Sequence, residues 1–408
     1  IRDRAPAVPD VANLHGATGI LAFSSVIHSD GPLMACAAFA AQVASQANQY
    51  VWQAWRATRR SVSQVMARAV KSGMVKYRLF QLAALIVPRL PYWLARRLFW
   101  WVGMAGWALA PAARRRATFN LNHVFGDDPL RLRWATRQAF GHVALNYLDF
   151  LRGARLSDAQ VIAGWEIENE TLLHETMRLG RGMIVLTGHF GAWELAMSRL
   201  GVMGYPMLTP AERLKPEALF SLFLRLRNHH HARLLPGDSR ETLRELLGAL
   251  RRNEIVVFAV DRYVLGQSVY APFFGVPARL PTAPTLFALR NEAPTMLLGA
   301  WREPGGRTHG YVQRLDLHGA VAAYDAEQAT TQTDHSASAS REARQRQRDG
   351  RLLAAQQVVT AALEDVIARR PEQWVSVLSP IWDAPDRGDR GDVDASSAAL
   401  ERIPYEAP

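Results

Sequence analysis

The sequence has one cysteine, Cys36, so it can form neither an internal disulfide nor a cysteine-based metal site. It contains no His-Glu-x-x-His, Gly-x-Ser-x-Gly or Walker A motif. That removes the usual grounds for a zinc hydrolase, a serine acyl-enzyme or a P-loop nucleotide site. Its tryptophan-rich apolar run, residues 98–110, is shorter than the ~20 residues a helix needs to cross a bilayer. Acidic residues are also in deficit: 37 Asp and Glu against 48 Lys and Arg leave a net charge of +11. Such an excess suits an anionic membrane surface, an acidic carrier or a nucleic acid. The arginines are spread out and no zinc-finger or RNA-recognition signature is present, so nucleic acid is set aside.

What is present is a core-forming chain. Of its 408 residues, 49% are hydrophobic, enough for one large domain or two small ones. From residue 161 the pattern alternates short apolar strands with amphipathic helices, which predicts an α/β fold. The expected form is a mostly parallel open sheet flanked by helices on both faces. Strands are expected near 205–209, 232–235, 255–260, 269–274, 295–301 and 309–315. Helices are expected over 216–230, from Ser239, near 281–290 and over 351–369.

The stretch from Met183 to Ala196 organises this pattern. The β-branched run Met183–Thr187 ends at Gly188, His189 follows, and a helical pattern begins after Gly191. Ligands collect at the carboxyl ends of strands in open α/β sheets. His189 and Glu194 would both lie there, the histidine before the helix and the glutamate in its first turn. A histidine so placed can take a proton from a hydroxyl, and a carboxylate behind it can fix the tautomer and stabilise the imidazolium. The plainer alternative is a capping histidine with Glu194 favouring the positive helix end.

The block Thr187-Gly188-His189-Phe190-Gly191-Ala192-Trp193-Glu194 resembles the His-x4-Asp/Glu block of the bacterial lipid A biosynthesis (lauroyl) acyltransferase family, which includes the phosphatidylinositol mannoside acyltransferases. Further blocks agree in order: Ala211 to Glu217, Asp261-Arg262, Pro272 to Gly275 with Leu280-Pro281, and Arg370 to Trp374. The resemblance covers about residues 77–382. It implies acyl transfer from acyl-CoA or acyl carrier protein to a glycolipid hydroxyl, with His189 as base and Glu194 orienting it, and with no metal or resident cofactor. It also implies an acceptor of the lipid A or phosphatidylinositol mannoside kind, and the Ala211–Glu217 block tilts toward the latter. A thioesterase using water at the same site, or a non-catalytic lipid-binding protein, are the alternatives.

Cations near strand and helix ends, Arg213, Lys215, Arg227 and Arg262, are candidates for holding phosphates of donor or acceptor. Asp261 could bind a sugar hydroxyl, or pair with Arg262 or Arg279, and Glu212 has the same ambiguity. His229-His230-His231 point in different directions on a helix and have no carboxylate at ligand spacing, so a metal is not expected. Asn120 and His123 read as structural.

The domain reading has four parts. Residues 1–76 are expected to be a poorly ordered extension; no basic region precedes a compact apolar run there, so a secretory signal is not expected. Residues 77–113 carry Trp93, Trp100, Trp101 and Trp107 beside Arg96, Arg97 and Arg114 to Arg116. They are read as two helices lying in, or dipping into, the cytoplasmic face of a membrane, the other possibility being an amphipathic pair packed on the core; the family resemblance implies the bacterial inner membrane. Residues 114–382 form the α/β domain, helical over 114–160, with a flexible low-complexity insertion at 324–350. Residues 383–408 are read as a disordered tail.

Overall fold

The computed structural model describes residues 73–382, apart from 127, 238, 265, 292, 305–306 and 332–340. The expectations for 1–72 and for the 383–408 tail lie outside the described residues. Residues 1–75 and 76–408 form separate units, and the account below concerns the second.

Among the described residues, the first α-helices are α1 (Met74–Ile86), α2 (Tyr92–Leu109), α3 (Pro111–Phe125) and α4 (Pro129–Gly153). Proline opens α3 and α4 at the first turn, where its missing N–H costs nothing, and Asp128 caps α4 by accepting from the Arg131 amide. The short α5 (Asp158–Ile162) has a full capping box between Ser157 and Gln160. Then come β1 (Trp165–Glu168), α6 (Glu170–Arg178), β2 (Met183–Thr187), α7 (Trp193–Val202), β3 (Met207–Ala211), α8 (Glu217–Arg227), β4 (Ala232–Pro236), α9 (Arg240–Arg251) and β5 (Ile255–Ala259). The chain continues with β6 (Ser268–Phe273), β7 (Val276–Pro281), α10 (Ala283–Arg290), β8 (Thr295–Arg302), β9 (Thr308–Leu315), α11 (Leu317–Thr331) and α12 (Arg341–Arg369).

Seven strands form one sheet in the order β1-β9-β8-β2-β5-β3-β4. All neighbours are parallel except β8 and β9. Central β2 is apolar on both faces, as a strand covered on two sides must be. Ile184 and Leu186 join the core shared with α3, α4, α9, α10 and α12, while Met183 and Val185 pack with α6 and α7.

The structure departs from the sequence reading at three places. The strand expected at 269–274 is not in the main sheet; it pairs with β7 in a separate antiparallel hairpin. Within the expected flexible insertion, 324–331 belong to α11 and 341–350 to α12. The composition that reads as low complexity is rich in Ala, Gln and Arg, which are good helix formers, and the Arg351–Asp325 ion pair at 2.7 Å ties the two helices together. The last helix is correspondingly longer than the expected 351–369. Asn120, read as structural, donates to the Val377 and Ser379 carbonyls and fixes the C-terminal segment.

The tryptophan-rich helices divide their faces. α2 crosses α4 closely: a Cβ on Gly103 would lie 2.4 Å from the Phe140 carbonyl oxygen, and one on Gly141 would lie 2.4 Å from the Trp100 ring. α1 leaves Leu79, Leu82 and Leu85 exposed, and α2 leaves Trp93, Leu98, Trp101 and Leu109 exposed. Among the described residues, no helix is long and apolar enough to cross a membrane.

Candidate active site

The parallel register of β2 and β5 builds the site. Thr187 pairs with Ala259, so two residues further on His189 stands opposite Asp261. The Asp261 carboxylate is fully buried and grips the histidine twice. Its Oδ2 accepts from the His189 backbone N–H at 2.9 Å, and its Oδ1 lies 2.9 Å from His189 Nδ1. The Trp374 indole N–H donates to the same Oδ2 at 3.0 Å. Burial alone would raise the Asp261 carboxyl, but the charge and hydrogen bond of His189, with the Trp374 N–H, hold it down to about 2. An ionised carboxylate only accepts, so Nδ1 carries the hydrogen and Nε2 is left as the basic nitrogen. The imidazole is 25% exposed and lines a cavity of about 1140 Å³.

Glycine permits this closeness. A Cβ on Gly188 would stand 3.3 Å from the Asp261 side chain. Gly191 has φ +56°, and a Cβ there would lie 1.9 Å from the Ala300 carbonyl oxygen, so no other residue fits. The turn's amides are all engaged. His189 donates to Asp261, Phe190 to the Gly188 carbonyl, Gly191 to the Gln373 carbonyl and Ala192 to the Ala300 carbonyl. The segment around Trp374 therefore serves as a brace, with the Val375 N–H returning to the His189 carbonyl. Phe273 of the β6–β7 hairpin packs edge-on to Trp374 at 5.7 Å and holds that brace in place.

Glu194 does not orient His189. Its carboxylate is bound by Arg227, through Nε to Oε2 at 3.1 Å and through Nη2 to Oε1. The first turn of α7 points Glu194 toward α8, while the histidine ring turns toward β5. Burial pushes the Glu194 carboxyl up, and the Arg227 charge and hydrogen bond oppose it. Arg227 also stacks on the rings of Phe223 at 4.0 Å and Trp193 at 4.5 Å, and Trp193 stands edge-on to His189 at 5.4 Å. Asp261 pairs with neither Arg262 nor Arg279, and its burial removes it from contact with a substrate. Glu212, Arg213, Lys215, Arg227 and Arg262 do line the cavity. Arg262 pairs with Glu212 at 3.3 Å and Arg213 with Glu217 at 3.2 Å. Among the described residues no group of three or more His, Cys, Asp or Glu is placed to hold a metal.

The cavity is mainly apolar. Val185, Ala196, Leu200, Leu222, Leu226 and Val257 line it between the sheet and the helices α7 and α8. Lys76 and Phe80 of α1, with Tyr147 and Phe150 of α4, line the part nearest the exposed tryptophan-rich helices.

Residues 66–380 match the family model described as bacterial lipid A biosynthesis acyltransferase. The phosphatidylinositol mannoside acyltransferase of Mycobacterium tuberculosis (strain CDC 1551 / Oshkosh) is 31% identical over 141 residues, 34% of this chain and 44% of that protein. The protein of the same name from Mycolicibacterium smegmatis is 31% identical over 137 residues, 33% of this chain and 45% of the relative. The matched stretch thus spans less than half the length of these curated relatives.

The depressed Asp261 pKa makes a stability prediction. A carboxyl held below its unfolded value of 3.8 stabilises the fold above that pH, and the contribution is lost as pH falls toward 2. Urea unfolding of wild type and Asp261→Asn across pH 5 to 2 should show their stability difference moving by about 2 kcal/mol against wild type. A constant difference contradicts an ionised, hydrogen-bonded Asp261 in the folded protein.

Proposed function

The chain belongs to the bacterial lipid A biosynthesis acyltransferase family, and on that premise we propose that it transfers a fatty acyl chain from a thioester to a hydroxyl of a glycolipid. The observation that carries the reading is His189, tautomerically fixed by Asp261, on the wall of a large apolar cavity. Nε2 takes the proton of the acceptor hydroxyl while the oxygen bonds to the thioester carbonyl carbon. The tetrahedral adduct collapses, the carbon–sulfur bond breaks, and the imidazolium returns its proton to the departing thiolate. His189 Nδ1 keeps its hydrogen throughout, donating it to Asp261, which stabilises the imidazolium between the two steps.

The negative charge on the carbonyl oxygen needs a donor. The amides of residues 189–192 are committed to protein acceptors, which leaves the first-turn amides of α7 and the side chains around His189 for that role. Arg227, stacked on Trp193 beside His189 and aimed by Glu194, supplies the cation. Glu194 is thus a positioning carboxylate that acts through Arg227. Arg213, Lys215 and Arg262 at the rim suit the phosphates of the donor, acyl-CoA or acyl carrier protein, and of the acceptor headgroup. The acceptor is proposed to be of the phosphatidylinositol mannoside kind, because the curated relatives carry that name. The reaction needs no cofactor.

The exposed apolar face of α1 and α2, with Trp93 and Trp101 among basic residues, supports docking on the cytoplasmic surface of the inner membrane. α1 would then have one side in lipid and the other, through Lys76 and Phe80, on the cavity. A lipid acceptor could reach His189 from the bilayer without crossing water.

Detergent-solubilised protein given radiolabelled palmitoyl thioester and a membrane-lipid extract should label a glycolipid. His189→Ala should abolish transfer, and Asp261→Asn should lower kcat by about 10²–10⁴-fold. Release of free fatty acid without an acceptor would identify a thioesterase instead, and lipid binding without any turnover would identify a binding protein. In co-sedimentation with anionic vesicles, Trp93→Ala with Trp101→Ala should weaken binding by at least about tenfold; unchanged binding would refute docking through this face.

A further inference from the structure

Arg302, the last residue of β8, is clasped on every side. Its backbone N–H donates to Gln373 Oε1 at 2.9 Å, and its carbonyl accepts from Gln373 Nε2 at 2.8 Å. Its guanidinium donates to the Gly191 carbonyl at 2.9 Å, to Asn146 Oδ1 at 3.0 Å and to Asp149 Oδ2. Arg302 and Asp149 are 9% and 5% exposed. Asn146 and Asp149 lie on one face of α4, and Asn146 also lines the cavity.

Gly191 is the residue on which the geometry of the catalytic turn hangs. Its φ is positive, its amide is held by the Gln373 carbonyl, and its carbonyl is held by Arg302. Two residues on either side of it lie His189 and Trp193. A free Gly191 peptide could rotate, because glycine resists such rotation less than any other residue. The fork of Arg302 removes that freedom by joining the turn to α4. A lysine, with one point charge, cannot reach the three acceptors at once.

We propose that Arg302 is a positioning residue for His189: held by Asp149 and Asn146, it fixes the Gly191 carbonyl and thereby the turn that presents the imidazole. It touches no reacting atom. The inference rests on His189 being the general base. A buried ion pair in this place adds little net stability over apolar side chains of similar size, so its use lies in geometry.

The test separates geometry from folding. Arg302→Met alone would leave Asp149 buried and unpaired, so the informative variant is Arg302→Met with Asp149→Leu, which replaces the pair by apolar groups. Two readouts are taken. The first is kcat and KM for acyl transfer, compared with the thermal midpoint. The second needs no turnover: the proton NMR signal of His189 Nδ1–H in the free protein, assigned by its loss in His189→Ala. The expected result is a wild-type thermal midpoint within a few degrees, kcat lower by about 30–100-fold with KM within twofold, and a shifted or exchange-broadened Nδ1–H signal. Arg302→Lys should recover less than a tenth of wild-type kcat. Wild-type kcat and an unchanged Nδ1–H signal in the double variant would overturn the proposal, as would a kcat loss that only follows the folded fraction. Absence of acyl transfer by the wild type would instead show as a failed first readout with the NMR contrast intact, and would count against the acyltransferase reading.

Discussion

The hydrogen bonds between Asp261 and His189 are what the rest of the structure serves. They exist because β2 and β5 are parallel neighbours in register, so residues two places beyond their paired ends face each other. A buried carboxylate is costly to ionise unless donors surround it. Here the imidazole, the His189 amide and the Trp374 indole provide them. The β6–β7 hairpin and the segment from Arg370 to Trp374 lie far from His189 in sequence, yet both support this cluster by placing Trp374 against the carboxylate. The outcome is an imidazole with one nitrogen fixed and the other facing an apolar cavity.

A second ionic unit, Glu194 with Arg227, packs on Trp193, which also contacts His189. The two units divide the chemistry. In the proposed reaction the first handles the proton, and the second sets a guanidinium, held by its carboxylate, at the cavity wall. Hydrogen bonds in such a place are worth more than in water, since little solvent competes for the donors. α1 and α2 carry an exposed apolar face, and α4 links α2 to the turn that holds His189 through Gly141 and Asn146.

Much of this was legible in the residues themselves. The β-branched run ending in Gly188-His189 announces a central strand and its carboxyl-end site, and the strand–helix alternation gives the α/β class. The partner of His189 was not legible. Asp261 also stands at a strand's carboxyl end, but only strand order reveals that β5 lies beside β2, and strand order is a property of the whole sheet. The close spacing of Glu194 to His189 misled for a simple reason: adjacency in sequence fixes position on α7 but not the direction of the side chain, which follows Arg227 on α8. The helices at 324–331 and 341–350 were hidden because Ala, Gln and Arg suit an exposed helix and a solvated linker equally well.

The most direct test of the central claim is a structure of the protein with a non-reactive acyl thioether donor and a glycolipid acceptor bound together. The account predicts the acceptor hydroxyl oxygen about 2.6–3.2 Å from His189 Nε2, with Nδ1 still on Asp261. A hydroxyl resting on the Glu194 carboxylate instead, or an acyl carbonyl held elsewhere in the cavity, would contradict it.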